Sequence, residues 1–408
     1  MKIKLNSNCL VKPGEPKWNG SLPLSELDQI GSIGYVNFIL LYRPPQEWLT
    51  PPEAIAENLK SSLSKLLISF HPLAGRLTRI PGGRLQIQCN GIGVPLTDAE
   101  SEATLDELKE FEQRQLVPSI DLEQLPLVAV QLTRFNCGGV CVGVAMSHAA
   151  MDGLSSSHFY SEWARLARGK PLETQPFLNR EMLGDGGRQP CSAASPPQQP
   201  PEFDAPPLLI SRNVEQESKE NPGCGGSSFT RFEAMTAHIW RCACKSRRHT
   251  PEQRTRLSIS VDIRRRVQAP LPKSYLGNAV LDVVALDNAG VLVSKSLSYA
   301  AGRIRETINK VTNDWLGLQF HGIDIGWGKE IYMGPADYGS DGDCMISSSS
   351  DGSVAVIVCL QEAHMEVFKK LFYEDMEFLV HESCCLNSDG SHHMIEHQVE
   401  LSDESDEK

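Results

Sequence analysis

His148 and Asp152 stand four positions apart in Ser147-His148-Ala149-Ala150-Met151-Asp152-Gly153, directly after an apolar run, Val140–Met146, that reads as a buried strand. A histidine at the exit of such a strand, on a loop ended by glycine, is carried on a rigid support. An unperturbed imidazole titrates near pH ~6.5, so a histidine can take a proton at neutral pH without large tuning. Ala149 and Ala150 let the loop turn tightly without competing polar groups. Asp152 has two open roles: it can orient the imidazole, or it can fix the loop through an arginine. His-x-x-x-Asp alone is short and common, and a core histidine with its own hydrogen bonds satisfies it equally well.

Other residue types that carry chemistry are less sharply placed. His71 and His238 sit in apolar segments and read as buried packing residues. Arg264-Arg265-Arg266 with Lys273 form a basic cluster that fits either phosphate groups or a solvated strand end. The twelve cysteines are scattered through apolar segments, as reduced buried thiols are. Cys242 with Cys244 and the adjacent Cys384 and Cys385 lack the two-residue gap of common zinc sites, so no metal is expected.

The elements that must hold His148 read as mixed α/β. Leu127–Thr133 and Val140–Met146 flank Asn136-Cys137-Gly138-Gly139, which predicts a hairpin. After the His148 loop, Ser155–Ser157 can cap a helix carrying Phe159, Trp163 and Leu166 that stops at Gly169. Upstream, Pro51-Pro52-Glu53 opens a helix with Ile55, Leu59, Leu63, Leu66 and Leu67 on one face, and Arg84–Cys89 alternates as a strand does. From Pro176 to Gly226 proline, glycine, serine and glutamine dominate, and a crossover between two domains is expected there. Beyond it, Phe232–Lys245 predicts a helix, Arg256–Ile263 a strand, Ser294–Thr312 a helix, Ser353–Leu360 a buried strand and Ala363–Tyr373 a last helix.

With 408 residues the chain exceeds the roughly 250–300 at which a single core stops growing, so two domains are the default. The expected boundaries are 1–175, a crossover at 176–228, 229–386, and an acidic, disordered tail at 387–408. The net charge of -12 does not suit nucleic acid, and the seven acids of that tail against Lys408 account for half of it. Met1–Leu10 has no apolar run of signal-peptide length, and no stretch approaches the roughly 20 apolar residues of a membrane span. A cytoplasmic protein that contacts neither membrane nor nucleic acid is expected.

Ser147–Gly153 resembles the HxxxDG signature of the BAHD acyltransferases of plants, and Asp324-Ile325-Gly326-Trp327-Gly328 resembles their DFGWG signature with isoleucine for phenylalanine. Phe70-His71-Pro72-Leu73-Ala74-Gly75-Arg76, Ser260-Val261-Asp262-Ile263-Arg264 and Tyr275-Leu276-Gly277-Asn278 are similar to further family segments, in the family's order. Within the family the match resembles the spermidine hydroxycinnamoyltransferase-like branch. The carrying segments are Val11-Lys12-Pro13, Leu24–Gln29, Trp163–Gly169 and Thr236–Cys242.

The resemblance implies an α/β fold of two chloramphenicol-acetyltransferase-like domains with a channel between them. It implies an acyl-CoA donor as co-substrate, a small-molecule acceptor, no permanently bound cofactor, and a monomer. His148 would be the general base, removing the acceptor's proton as it attacks the thioester. Asp152 would be structural, turned toward an arginine for which Arg264 is the choice. Asp324, Gly326, Trp327 and Gly328 would be architectural. Of the basic cluster, Arg266 and Lys273 are the candidates to receive the phosphates of coenzyme A, with a solvated strand end as the other reading. The chain has no Gly-x-Ser-x-Gly elbow and no cysteine beside a plausible base, so direct transfer without a covalent intermediate is indicated. The expected acceptor is an amine such as spermidine, with alcohols such as shikimate or quinate as the alternative.

One departure stands out. Family members place several tens of residues, including a strand of the C-terminal sheet, between the Tyr275–Asn278 segment and the DFGWG-like motif. Here the helix ending near Asn313-Asp314-Trp315 runs almost directly into His321–Gly328. An internal deletion is expected, and a catalytically impaired relative is therefore a further reading.

Overall fold

The computed structural model describes residues 3–15, 19–30, 34–44, 54–105, 122–183, 208–212, 229–267, 269–310, 323–328, 332–335, 341–348 and 354–384. The expected acidic tail at 387–408 and the junction at 311–322 lie outside the described residues.

Val140–Ser147 is buried at every position, as its unbroken apolar run requires of a strand covered on both faces. It pairs antiparallel with Val128–Phe135 through the turn at Asn136–Gly139, where Gly138 has a φ of 80°. Its other edge pairs with Tyr35–Tyr42, Tyr35 opposite Ser147. The sheet has six strands in the order Ile3–Val11, Val94–Ser101, Val128–Phe135, Val140–Ser147, Tyr35–Tyr42 and Tyr332–Pro335. Helix Ile55–Ser69 buries Ile55, Leu59, Leu63, Leu66 and Leu67, and the Trp163 indole of helix Gly153–Ala167 donates to Ser62 Oγ at 3.0 Å. These side chains share one apolar core with Val128, Val144, Phe159 and Trp163.

Three local expectations need correction. The helix after the His148 loop is capped by Asp152, whose carboxylate accepts from the Ser155 amide, and not by Ser155–Ser157. Ser155 and Ser156 are instead buried inside the helix, so their hydroxyls are spent on backbone carbonyls. The helix expected from Ser294 starts later and runs over Leu297–Asn309, and a separate short helix, Ala289–Ser294, precedes it. Lys295 and Ser296 are extended, and the Ser296 hydroxyl accepts from the Tyr299 amide, so a local side-chain cap wins over helix continuation. Within the expected crossover, Leu208–Arg212 is a strand paired with Val354–Val358.

The C-terminal half has its own cores. Helix Arg231–Ser246, started by a capping box of Thr230 and Glu233, packs Ala237 and Trp240 against Ile259, Val261 and Ala285 of the antiparallel pair Arg254–Asp262 and Val280–Asn288. Its Ile239 and Cys242 face Phe368 and Phe372 of helix Glu362–Cys384. Ile323, Ile325 and Trp327, placed by sequence within 229–386, pack in the N-terminal core, and Tyr332–Pro335 closes the edge of the N-terminal sheet. The chain thus crosses back: among the described residues, the free edge of Tyr35–Tyr42 is paired by a strand from the second half.

Candidate active site

Strand Val140–Ser147 delivers His148 to the junction of the two halves. The His148 amide donates to the Gly34 carbonyl at 3.0 Å, and its carbonyl accepts from Asn278 Nδ2 at 2.8 Å. The backbone is therefore held at both polar atoms. The side chain is half-buried; Nδ1 is enclosed and has no hydrogen-bond partner among the described residues. Ala149, Ala150 and Met151 beneath it are buried.

Asp152 turns away from the imidazole. Its Oδ1 accepts from Arg264 at 2.8 Å and from the Ser155 amide at 2.9 Å, and its Oδ2 accepts from Arg264 at 2.9 Å and from the Ala279 amide at 2.9 Å. Of the two roles left open by the sequence, the geometry is that of fixing the loop through an arginine. Arg264 also donates to Asp262 at 2.9 Å. Burial works to lower the Arg264 pKa, but Asp152 and then Asp262 outweigh it, and the guanidinium is held above its ordinary value. The Ser155 hydroxyl lies between the Tyr275 and Gly277 carbonyls, 2.9 and 2.8 Å away, with one hydrogen to share between them, and accepts from the Gly277 amide at 3.2 Å, stapling the Tyr275–Asn278 segment to the helix that follows His148.

The Asp324–Gly328 segment lies against other elements. Asp324 accepts from the Gly326 and Gly328 amides at 2.8 and 3.1 Å and from Arg168 at 3.2 Å. Gly326 and Gly328 have φ of 100° and 86°, where a side chain would be strained. Trp327 packs edge-on against Tyr42 with centroids 5.4 Å apart, and the Tyr42 hydroxyl donates to the Ile323 carbonyl. This segment ties the end of helix Gly153–Ala167 to the sheet rather than reaching His148.

Arg266 donates to the Ile308 carbonyl at 3.3 Å, at the end of helix Leu297–Asn309, whereas Lys273 is exposed. His238 is buried with Nε2 2.8 Å from the Phe372 carbonyl, and His71 is half-buried, its pKa lowered by that burial. Among the described residues no group of three or more His, Cys, Asp or Glu side chains converges as a metal site would. No helix among them is long and apolar enough to cross a membrane.

Sequence reasoning missed Asp28 and Arg180. Asp28 is fully buried and accepts from Arg180 at 2.7 Å and from both Asn278 nitrogens, while Arg180 donates to the Ala150 carbonyl at 2.7 Å. The one signal was Ser25-x-x-Asp28, a capping-box spacing, which gives the cap but not the distant partner.

The family model described as "Transferase family" matches residues 1–316 and 311–375. The hydroxycinnamoyl-CoA:piscidic acid hydroxycinnamoyltransferase of Actaea racemosa is 35% identical, over 92% of this chain and all of that protein. The shikimate O-hydroxycinnamoyltransferase of Nicotiana tabacum is 31% identical, and the rosmarinate synthase of Plectranthus scutellarioides 32%, each over 92% of this chain and all of the relative. In fold the chain is similar to vinorine synthase, with a TM-score of 0.73 at 22% identity over 90% of this chain and 96% of that one. It is also similar to F. graminearum TRI101 complexed with coenzyme A and T-2 mycotoxin, with a TM-score of 0.62 at 14% identity over 85% of this chain and 96% of that one. The fold is accordingly that of two chloramphenicol-acetyltransferase-like domains. The chain belongs to the Transferase family: it is a BAHD acyltransferase, an enzyme that moves acyl groups other than amino-acyl groups from coenzyme A thioesters.

Proposed function

We propose that the chain transfers a hydroxycinnamoyl group from its coenzyme A thioester directly to a small acceptor in a channel between the domains, with His148 as general base. The carrying observation is the placement of His148, clamped by its backbone at the junction of the two halves with its imidazole half-buried. Because Nδ1 is enclosed, Nε2 is the nitrogen left to take the acceptor's proton. The acceptor's heteroatom attacks the thioester carbonyl as that proton leaves. The tetrahedral intermediate then collapses, and the coenzyme A thiolate departs and recovers the proton from the imidazolium. Asp152 and Arg264, with Asp324, Gly326, Trp327 and Gly328, hold the two domains in shape, and Arg266 and Lys273 remain the proposed phosphate contacts. The partition at 1–175 and 229–386 is proposed with the exchange of Tyr332–Pro335 described above.

The acceptor class is read from two sides. Piscidic acid and shikimate transfer in the similar enzymes favours a hydroxyl acceptor. The spermidine branch-like segments favour an amine, and N-acylation is also represented, in an Avena sativa relative that is 28% identical. Shortening before Asp324 is part of the proposal. The family match breaks into two stretches that meet at 311–316. About 375 of the 408 residues (92%) fill an alignment of 449 positions with the Actaea racemosa enzyme, leaving roughly 74 positions without a counterpart.

The test is turnover of one hydroxycinnamoyl-CoA with shikimate and with spermidine, in the parent and in His148→Ala. Loss of about 10²–10⁴-fold in rate with an unchanged melting temperature is expected of the variant. Full activity in His148→Ala would sink the mechanism. No turnover in the parent with either acceptor, despite cooperative melting, would favour the impaired relative.

A further inference from the structure

We infer that Asp28, acting through Asn278 and Arg180, positions the loop that carries His148. The carboxylate is fully buried, and its Oδ2 accepts from the Ser25 amide at 2.9 Å, the Ser25 hydroxyl at 2.8 Å and Arg180 at 2.7 Å. Its Oδ1 accepts from the Asn278 amide at 2.7 Å and from Asn278 Nδ2 at 2.9 Å. Asn278 Nδ2 has two hydrogens, and the second goes to the His148 carbonyl at 2.8 Å. Arg180 sends its other nitrogen to the Ala150 carbonyl at 2.7 Å. One buried carboxylate thus holds two carbonyls of the loop through two intermediaries, Arg180 from the start of the expected crossover and Asn278 from the C-terminal half.

The energetics point to geometry as what this arrangement secures. A buried ion pair contributes little net stability, since desolvation offsets most of the attraction. A hydrogen bond to a carboxylate is stronger than a neutral one, and it polarises the Asn278 amide so that its second N–H is the better donor toward His148. The His148 amide is already tied to Gly34 on the opposite side, so fixing its carbonyl removes backbone freedom at the residue and leaves the imidazole only its own rotamers. Asn278 and Arg180 bond the backbone carbonyls of the loop, and Asp28 acts through them, so all three are positioning residues.

This inference rests on the reading of His148 as base, and the test separates the two. Asn278→Ala is the main variant: it removes the side-chain bonds to His148 and Asp28 while the Asn278 backbone, Ser25 and Arg180 still satisfy the carboxylate, so folding is retained. The measurements on the full chain are kcat, KM for a hydroxycinnamoyl thioester, melting temperature, and amide exchange of the peptide 147–152. Expected are a fall in kcat of about 10²-fold, an unchanged KM, a melting temperature close to the parent's, and faster exchange confined to that peptide. Asp28→Asn should slow transfer as well and also lower the melting temperature, because it strands the buried Arg180 charge. Parent-like kcat and exchange in Asn278→Ala would overturn the inference, as would a rate loss matched by the fraction unfolded. Full activity in His148→Ala would remove the functional reading alone, and exchange at 147–152 would still decide whether Asn278 fixes the loop.

Discussion

Arg264 and Asp152 meet in a two-pronged ion pair, 2.8 and 2.9 Å, in which both side chains are almost wholly buried and the partners are 112 positions apart. The pair ties the loop after His148 to the end of the strand Arg254–Asp262, and so joins the two halves where chemistry is proposed. Asp152 also caps helix Gly153–Ala167, which means one carboxylate sets the loop, the helix start and the interdomain contact together.

Asp152→Ala should therefore destabilise the fold as well as slow transfer. Removing one partner leaves the Arg264 charge buried, an expected cost of roughly 3–5 kcal/mol, and the helix loses its cap. Differential scanning calorimetry reads the cost directly. A variant as stable as the parent that loses only rate would make Asp152 an orienting partner of His148, against the observed geometry.

A second ion pair makes a prediction about acid. Glu233 is nearly buried and accepts from Arg305 at 2.6 and 2.9 Å, while the guanidinium lies 4.3 Å over the Phe229 ring. Burial works to raise the Glu233 pKa, but Arg305 and the Thr230 capping bonds overcome it and hold the carboxyl below the usual glutamate value. A group depressed on folding contributes stability above its unfolded pKa and loses it as pH falls through the folded value. Glu233→Gln should lower the melting temperature at pH 7, and the gap from the parent should close as pH falls below about 4.3. A gap that persists unchanged at pH 3 would contradict the assignment.

How far the sequence carried can be judged residue by residue. The His148 loop, the Asn136–Gly139 hairpin and the i, i+4 face of Leu59, Leu63 and Leu67 were legible because each is written in neighbouring residues. Arg264 as the partner of Asp152 came only from family resemblance. Asp28 and Arg180 were not legible, since they are 152 positions apart and nothing local to either marks the other. The start of the helix at Leu297 was placed too early, because the Ser296 cap that decides it is a single hydroxyl. The return of Tyr332–Pro335 to the first sheet is a topological choice that a strand-by-strand reading does not contain.

Ile325 stands where the resembling motif has phenylalanine, and it lines a small apolar hollow with Leu40, Tyr42, Val142, Tyr160 and Trp163. The Tyr160 hydroxyl is buried there without a partner among the described residues. Ile325→Phe should fill the hollow and raise stability by about 0.5–2 kcal/mol, the usual range for cavity filling. Thermal melts of parent and variant decide it; a lower midpoint would mean that the ring overpacks the site.

The acceptor class makes the last prediction, through the proton it must lose. An alcohol is neutral at all working pH values, so its own ionisation adds no pH dependence to transfer over that range. A primary amine with a lysine-like pKa of ~10.4 is neutral in only about one part in 10³ at pH 7. Its transfer should keep climbing toward pH 10 unless the site itself strips the ammonium of its proton by desolvation. The distal ammonium groups of a polyamine would further call for carboxylates along the channel, so a rate that falls with added salt belongs to spermidine and not to shikimate. The measurement is kcat/KM from pH 6 to 10 at two salt concentrations, with one hydroxycinnamoyl thioester and both acceptors. Turnover of shikimate, and none of spermidine, would reject the polyamine reading; a climbing, salt-sensitive profile with spermidine alone would reject the alcohol.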